Sequence, residues 1–226
     1  DSGFYTLDIG NRKFTKKTLD FGRHVVAYDS LNSNFWTWNE KVLRREGKEG
    51  ENKSGENVLS DVDIRLIYFD GEGNSWFGTN GNGLYKYYAR DFDRCASEKL
   101  KAVTAIEKDR SGATWIGSQI KGMWKIQNGK VKTYPLGDAN EVAVMDIKQS
   151  PKGEIWVASY GGLGKYDSTK DTFTWYRREQ GLSSQYITNL AFDQQGGVWC
   201  GTSGVGLNYF NQKEFKSYST EEGLLG

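Results

Sequence analysis

A tryptophan-centred segment recurs about every forty residues, and this repetition constrains the fold more than any single motif in the chain. Successive copies lie 39 to 43 residues apart and are centred on Trp36, Trp76, Trp115, Trp156 and Trp199, the first copy being degenerate. This period is that of a four-stranded propeller blade. Helical arrays share the period, but their segments would show apolar residues at a spacing of 3.6, which is absent here. We therefore expect the tryptophans to pack between blades in the core.

Four short elements recur within each copy. An alternating apolar run precedes the tryptophan strand and is predicted to be the innermost strand, as in residues 64–69, 103–106, 144–147 and 187–192. A turn with Asp and Gly three apart, such as Asp70 to Gly73, joins these two strands. A Gly-rich turn leads to a third strand, and the outermost strand has the weakest pattern. The sequence thus predicts an all-β propeller made of four-stranded antiparallel blades.

The blade boundaries follow from this alignment. We expect a half blade at 1–22, then five blades at 23–62, 63–101, 102–141, 142–185 and 186–226. The half blade is read from residues 3–7 and 13–17, which match third and fourth strands. Residues 221–224 repeat the pattern of 179–182, the linker that precedes a new blade. This arrangement predicts a segment of a larger propeller, and a complete five-bladed ring is the alternative.

The fifth copy, residues 187–202, and the linker before it, residues 179–184, carry the most specific motif. They resemble the two-component regulator propeller repeat, found in the periplasmic sensor regions of bacterial hybrid histidine kinases that regulate polysaccharide use. One departure is Trp38, which stands where later copies have glycine. Residues 41–61 are charged and Gly-rich and are predicted to form a long exposed loop between weak strands.

The resemblance implies more than the fold. It implies seven blades in the whole propeller, a periplasmic location within an inner-membrane receptor, and an oligosaccharide or other small ligand that this segment binds or whose binding it relays. It also implies a homodimeric receptor in which the rest of the propeller and further domains lie downstream. The output domain, a histidine kinase, lies outside these residues, and we expect no enzyme activity in this segment.

Composition excludes several classes of protein. The formal charge is +1, which gives no electrostatic attraction for nucleic acid, and no apolar run approaches the roughly 20 residues that span a bilayer. We therefore expect neither nucleic-acid binding nor direct membrane insertion. The chain has one histidine, His24, and two cysteines, Cys95 and Cys200. We expect no metal, no cofactor and no disulfide, a structural role for His24, and a buried apolar environment for Cys200.

A ligand site in a propeller is expected on the face where the turns between second and third strands meet the linkers between blades, because a rigid ring presents its variable loops there. Arg65, at the start of an inner strand, could bind the carboxylate of an acidic sugar through its guanidinium. The candidate ligand-binding residues are Arg65, Asn80, Asn82, Gln119, Lys121, Tyr160, Gln185 and Tyr186.

Three functions are compatible with these residues. The first is a ligand-sensing propeller of a hybrid two-component receptor. The second is a free-standing lectin-like or protein-docking propeller. The third is a lyase or glycosidase, which would need paired carboxylates, and the strand residues Glu107 and Asp146 are too isolated in sequence to nominate such a pair.

Overall fold

The repeated segments form antiparallel sheets, as their alternating apolar pattern predicts. The computed structural model describes residues 3–8, 13–18, 25–32, 34–38, 42–46, 56–88, 91–96, 100, 102–120, 122–136 and 142–224. Within these residues the regular structure is strand apart from one 3₁₀ turn at Arg178–Gln180. The all-β class is therefore confirmed. His24 and Lys121 lie outside the described residues, as do residues 41 and 47–55 of the predicted loop within 41–61. The loop prediction was wrong for residues 42–46 and 56–60, which form paired strands.

The chain divides into two compact units, residues 1–61 and 62–226. The first unit contains a two-stranded sheet, β1 (Gly3–Asp8) and β2 (Lys13–Thr18). It also contains a four-stranded sheet, β3 (Val25–Asp29), β4 (Asn34–Trp38), β5 (Val42–Glu46) and β6 (Glu56–Ser60). Each strand pairs with its sequence neighbour in antiparallel register.

The second unit contains four further four-stranded sheets with the same meander topology. The first sheet consists of β7 (Ile64–Phe69), β8 (Ser75–Thr79), β9 (Leu84–Tyr88) and β10 (Asp91–Ala96). The second sheet consists of β11 (Val103–Lys108), β12 (Thr114–Ser118), β13 (Gly122–Gln127) and β14 (Lys130–Tyr134). The third sheet consists of β15 (Val144–Gln149), β16 (Ile155–Ser159), β17 (Gly162–Asp167) and β18 (Thr172–Tyr176). The fourth sheet consists of β19 (Ile187–Phe192), β20 (Val198–Thr202), β21 (Leu207–Phe210) and β22 (Phe215–Tyr218).

The first strand of each sheet in the second unit lies against the first strand of the next sheet, so β7, β11, β15 and β19 are the innermost strands. This is the arrangement of propeller blades. The predicted propeller fold is confirmed, and the four sheets of this unit are four successive blades. Below, the four sheets of this unit are called blades B (β7–β10), C (β11–β14), D (β15–β18) and E (β19–β22).

Three of the repeated tryptophans, Trp76, Trp115 and Trp156, fill the space between successive blades of the second unit. Trp36, Trp115 and Trp156 are fully buried and Trp76 is nearly so. Trp115 belongs to a cluster that also contains Val144 and Ile147 of the next blade. Trp199 differs, because it is only half-buried and its ring packs on the tyrosines of its own sheet. Burying rings of this size between sheets gives each seam most of its apolar contact.

In blades B, C and E the turn after the inner strand is held by an aspartate, as the Asp and Gly spacing predicts, whereas Ser150 takes this position in blade D. Asp70 Oδ1 accepts hydrogen bonds from the backbone N–H groups of Glu72 and Asn74, and its Oδ2 accepts from Trp76 Nε1 at 2.9 Å. Gly73 has φ +84°, a conformation that favours glycine. Asp109 forms the same bonds, including one from Trp115 Nε1 at 2.7 Å. The turn thereby fixes the tryptophan ring as well as the backbone.

A polar bond from one blade to the next crosses each seam of the second unit. Tyr68 of blade B accepts from the backbone N–H of Lys108 at 3.1 Å, on the inner strand of blade C. Glu107 Oε1 of blade C accepts from Gln149 N at 2.9 Å, and Asp146 Oδ2 of blade D accepts from Leu190 N at 2.9 Å. Each acceptor is a side chain on an inner strand, and each donor is an inner-strand backbone group that would otherwise lack a partner across the seam.

Two glycines of the tryptophan strands bring neighbouring blades into close contact. A Cβ built on Gly78 would lie 2.6 Å from Val103 Cγ1, and one built on Gly117 would lie 2.5 Å from Val144 Cγ1. Both valines are fully buried on the inner strand of the following blade. Only glycine fits these two positions without a shift of the seam.

Candidate functional site

The turns between second and third strands are tied to the start of the inner strand of the same blade. In all four blades of the second unit, a turn N–H donates to the carbonyl of the residue just before the inner strand. The four pairs are Asn80 to Asp63, Gln119 to Ala102, Tyr160 to Ala143 and Ser203 to Tyr186, at 2.9–3.0 Å. Turns and linkers therefore form one surface at this end of the blades, as the sequence predicts. We call it the turn face, defined by residues 63, 80–82, 102, 119–120, 143, 160, 185–186 and 203–205.

A hydroxyl at the end of each tryptophan strand shapes these turns. Thr79 Oγ1 donates to the carbonyl of Gly83 at 2.7 Å, and Thr202 Oγ1 donates to Gly206 at 2.7 Å. Ser159 Oγ donates to Gly162 at 2.9 Å and accepts from Gly161 N. These bonds fix the turn backbone, so the side chains of the turn project from a rigid support.

Two tyrosines on the turn face pack against each other across the seam between blades D and E. The rings of Tyr160 and Tyr186 are 5.5 Å apart at their centroids and nearly perpendicular, at 88°. They are 38% and 46% exposed. An exposed aromatic pair with two hydroxyls presents both an apolar ring face and hydrogen-bonding groups to a ligand.

Two apolar side chains extend this exposed surface. Ile120 of blade C is 49% exposed and Val205 of blade E is 42% exposed, and both lie in the turns between second and third strands. Neither was among the predicted site residues, because a single apolar residue in a polar turn carries no repeat signal. Their exposure alongside the tyrosines makes the turn face partly apolar.

The polar residues predicted to bind ligand also lie on the turn face, where Arg65 bonds to Gln119 and Asn80 bonds to Asp63. Arg65 Nη1 donates to Gln119 Oε1 at 3.1 Å, a bond between blades B and C at an exposed position. Asn80 Nδ2 donates to Asp63 Oδ2 at 2.9 Å within blade B. The guanidinium of Arg65 thus has one N–H group occupied by Gln119, and Asp63 adds a carboxylate that was not among the predicted site residues.

The remaining candidates have simpler surroundings. Asn82 is exposed, and its backbone N–H donates to Thr79 Oγ1 at 2.9 Å. Gln185 lies next to Tyr186, and its carbonyl accepts from Ile187 N at 3.2 Å. Lys121 falls outside the described residues. The structure therefore groups Tyr160, Gln185 and Tyr186 at one seam, and Arg65 with Gln119 at another.

The inner-strand carboxylates Glu107 and Asp146 are used in the seams between blades. Burial raises the pKa of both carboxyl groups, and the backbone N–H bonds from Gln149 and Leu190 partly oppose that rise. The negative charge of Asp146 further raises the pKa of Glu107. Each carboxylate already accepts a hydrogen bond from the next blade, which is a structural arrangement.

The other chemical candidates are accounted for by packing. Cys200 is a free thiol, fully buried among apolar residues, and burial raises its pKa to about 12. The side chain of Cys95 lies outside the described residues. Among the residues that the structure describes, no group of three or more His, Cys, Asp and Glu side chains could hold a metal ion. In the same part of the chain, no helix has the length and apolar character to cross a membrane.

Comparison with protein families identifies one segment. Residues 181–204 match the family model described as two component regulator propeller. This segment includes the linker before blade E and strands β19 and β20, so the resemblance found in the sequence is confirmed there. No curated protein sequence matches the chain.

Solved structures show the fold at low sequence identity. The extracellular domain of a hybrid two-component system from B. thetaiotaomicron superposes with a TM-score of 0.64 at 16% identity, covering 98% of this chain and 38% of that one. A catalytically inactive virginiamycin B lyase from Staphylococcus aureus with quinupristin gives 0.68 at 12% identity, covering 98% and 78%. YCF48 bound to a D1 peptide gives 0.63 at 14% identity, covering 96% and 74%. The chain therefore spans less than half of that receptor domain and has a propeller fold.

Proposed function

We propose that this chain is part of the ligand-sensing propeller of a hybrid two-component receptor, and that its turn face binds an oligosaccharide or relays the binding of one. The observation that carries the proposal is the match of residues 181–204 to the two-component regulator propeller, since the same segment supplies Gln185 and Tyr186 of the turn face. The proposed location is periplasmic, in a homodimeric receptor whose kinase lies elsewhere in the protein.

The aromatic pair on the turn face is the proposed contact for sugar. A pyranose ring presents C–H groups on its faces and hydroxyls at its edge, so it matches an exposed tyrosine that offers a ring face and a hydroxyl. Tyr160 and Tyr186 come from blades D and E, and their perpendicular packing gives one ring the role of platform and the other that of side wall. Gln185 lies beside them in the chain and adds an amide that both donates and accepts.

Binding at a seam between blades also suggests how a signal would arise. A ligand that contacts blades D and E at once changes the equilibrium between two arrangements only if its contacts differ between them. Tyr160 and Tyr186 sit on opposite sides of one seam, so a small displacement of one blade relative to the other changes both contacts. The proposed output is a shift in how this propeller meets the downstream receptor domains.

The test is a glycan array with the full chain, followed by titration calorimetry with the best oligosaccharide. Tyr160→Ala and Tyr186→Ala should each weaken binding by about tenfold or more, because truncating a central aromatic contact typically costs 2 kcal/mol or more. Tyr88→Ala is the matched control, since Tyr88 is 41% exposed and lies at the far end of β9 from the turn face.

Two results would overturn the proposal in different ways. If no glycan binds, or if both turn-face variants bind as the unsubstituted chain does, the turn face is not the oligosaccharide site. If glycan binds but the full receptor, carrying Tyr160→Ala, still drives a reporter gene with an unchanged dose response, binding at this face is not the sensory event. The second outcome would favour the free-standing lectin-like function.

The fold likeness to lyases does not favour an enzyme. The inner-strand carboxylates Glu107 and Asp146, which would be natural catalytic candidates, already accept backbone hydrogen bonds at the seams. A sensory role therefore accounts for the described residues better than a hydrolytic or lyase activity does.

A further inference from the structure

The three seams between the blades of the second unit share a common core. Each contains an apolar cluster and one hydrogen bond from an inner-strand backbone N–H to a side chain of the preceding blade. Any difference in how readily the seams open therefore depends on the other contacts that cross them. These contacts differ between the C–D seam, where blade C meets blade D, and the D–E seam, where blade D meets blade E.

Further hydrogen bonds cross the C–D seam at the inner strands and at the turns that follow them. Thr104 Oγ1 donates to the carbonyl of Val144 at 2.5 Å. In the turn after β11, the backbone N–H of Arg110 donates to Gln149 Oε1 at 3.0 Å, and its Nη1 donates to the carbonyl of Pro151 at 3.1 Å. These bonds join blade C to both the inner strand and the first turn of blade D.

One carboxylate joins the same two blades at their outer edge. Asp171, in the turn between β17 and β18, accepts from the hydroxyl of Tyr134 on blade C at 2.5 Å and from that of Tyr166 on its own blade at 2.6 Å. Lys132 of blade C also pairs with Asp171. Hydrogen bonds to a charged group are the stronger ones. Blades C and D are thus tied at the inner strands, at the turns and at the outer edge.

The D–E seam has fewer polar bonds. At its outer edge Tyr176 of blade D packs on the rings of Phe210 and Phe215, with centroids 4.9 and 5.8 Å away. Besides the shared bond between inner strands, one hydrogen bond joins the described residues of the two blades, from Lys165 Nζ to Gln212 Oε1 at 3.3 Å. The outer edge of this seam is therefore held by ring contacts, without the carboxylate that joins blades C and D.

The turn after β15 also lacks the bonds that the corresponding turn of blade C makes. Lys152 of this turn lies beside Gly196 of blade E, since a Cβ built on Gly196 would be 2.8 Å from Lys152 Cε. Within the part of the chain that the structure describes, Lys152 Nζ has no hydrogen-bond partner. Arg110, in the turn of blade C, makes two bonds to blade D. The contact between turns at the D–E seam is therefore one of packing alone.

The seam between blades B and C resembles the C–D seam in this respect. Lys108 of blade C pairs with Asp70 at 3.3 Å and with Glu72 at 2.5 Å, both in the turn of blade B. Arg65 Nη1 of blade B donates to Gln119 Oε1 of blade C at 3.1 Å. Of the three seams, D–E therefore has the fewest polar ties among the described residues.

We infer that the D–E seam is the hinge of this unit, so that blade E opens from blade D while blades C and D stay joined. The opening is a property of the chain alone. Its use in relaying a ligand at Tyr160 and Tyr186, whose rings lie on the two sides of this seam, rests on the proposed function. Elements that move in regulation come from the parts of a protein that open most easily.

The experiment is native-state hydrogen exchange of the full chain without ligand, followed residue by residue by NMR. Two amides are matched reporters, because Gln149 N at the C–D seam and Leu190 N at the D–E seam each donate to a carboxylate across the seam at 2.9 Å. We expect the protection factor of Leu190 to be lower than that of Gln149 by about tenfold or more, since further hydrogen bonds hold the C–D seam.

Substitutions test whether those bonds are the cause. Tyr134→Phe combined with Arg110→Met removes two side-chain bonds of the C–D seam and keeps the apolar parts of both side chains. The protection factor of Gln149 should fall by about tenfold or more, and that of Leu190 should not change. Tyr176→Phe is the matched control, because Tyr176 ends β18 as Tyr134 ends β14 and its hydroxyl has no hydrogen-bond partner among the described residues. This control should leave both protection factors unchanged.

Three results would overturn the inference. Equal protection factors at Gln149 and Leu190 in the parent would show that the two seams open together, and a lower value at Gln149 would place the hinge at the C–D seam. An equal loss at both amides in the double variant would show that its bonds do not hold the C–D seam in particular. All of these are measured without ligand, so a failure of glycan binding leaves them unaffected, and a failure here leaves the glycan result unaffected.

Discussion

Replacing Gly117 by alanine tests the account of how neighbouring blades pack. The new methyl would lie 2.5 Å from Val144 Cγ1, 3.1 Å from Val144 Cβ and 3.2 Å from Ala105 Cβ. Carbon atoms in contact are normally about 3.5–4.0 Å apart. Rotating the valine about χ1 leaves its Cβ in place, so the seam between blades C and D has to open.

The expected magnitude is a balance of two effects. Overpacking of a buried site costs about 1–3 kcal/mol, and replacing glycine by alanine returns about 0.4–1 kcal/mol by restricting the unfolded chain. The net loss is about 1–2 kcal/mol, which corresponds to a fall of about 2–8 °C in the melting temperature for a chain of this size. Thermal unfolding followed by circular dichroism, under reversible conditions, measures this change.

Gly201 provides a matched control on the corresponding strand of blade E. A Cβ there would lie 3.4 Å from Thr188 Oγ1 and 3.7 Å from Asn189 Cβ, which are ordinary contacts. Gly201→Ala should therefore be neutral or stabilising by up to about 1 kcal/mol. Combining Gly117→Ala with Val144→Ala should cost less than the sum of the single changes by about 0.5–3 kcal/mol. Equal melting temperatures for the two glycine variants would refute the packing argument.

Two further predictions concern carboxylates. Glu107→Gln keeps an acceptor for Gln149 N and removes a buried charge. Because the pKa of Glu107 is raised in the folded protein, the stability of the parent falls as the pH rises above the pKa of this group in the unfolded chain. The variant should therefore be more stable than the parent at pH 7, and the difference should shrink toward pH 4. A variant less stable than the parent at pH 7 in urea unfolding would contradict this. Asp171 accepts from Tyr134 and Tyr166 and pairs with Lys132, which hold its pKa well below its usual range. Asp171→Asn should therefore be less stable than the parent at pH 7, and this difference in stability should disappear as acid protonates the carboxylate of the parent. A difference in stability that does not depend on pH would indicate lost packing instead.

The repeat pattern was sufficient to predict the blade architecture and the geometry of its turns. The forty-residue period, the alternation of the inner strands and the Asp and Gly spacing all describe contacts within one blade, and such contacts repeat with the sequence. The turn that holds Trp76 follows from Asp70 and Gly73 alone. The pairing of turns with linkers follows from the same local geometry.

Contacts between blades were harder to predict, because they join residues at different positions of the repeat. The seam acceptors Tyr68 and Glu107 are fifth in their inner strands, whereas Asp146 is third in its own. The packing of Tyr160 on Tyr186 depends on how two successive blades meet. An alignment of one repeat on the next carries no signal for it.

One bond in each seam has the same direction. In the three bonds from inner strand to inner strand described above, the side-chain acceptor belongs to the earlier blade and the backbone donor to the later one. Domains emerge from the ribosome with the N-terminal part first. Strands β11, β15 and β19, when newly made, therefore each meet an acceptor that is already in place on the preceding blade, so assembly of the second unit can proceed in the order of translation. A circular permutant cut between β14 and β15 would synthesise the donor Gln149 before its acceptor Glu107, reversing that order at this seam alone.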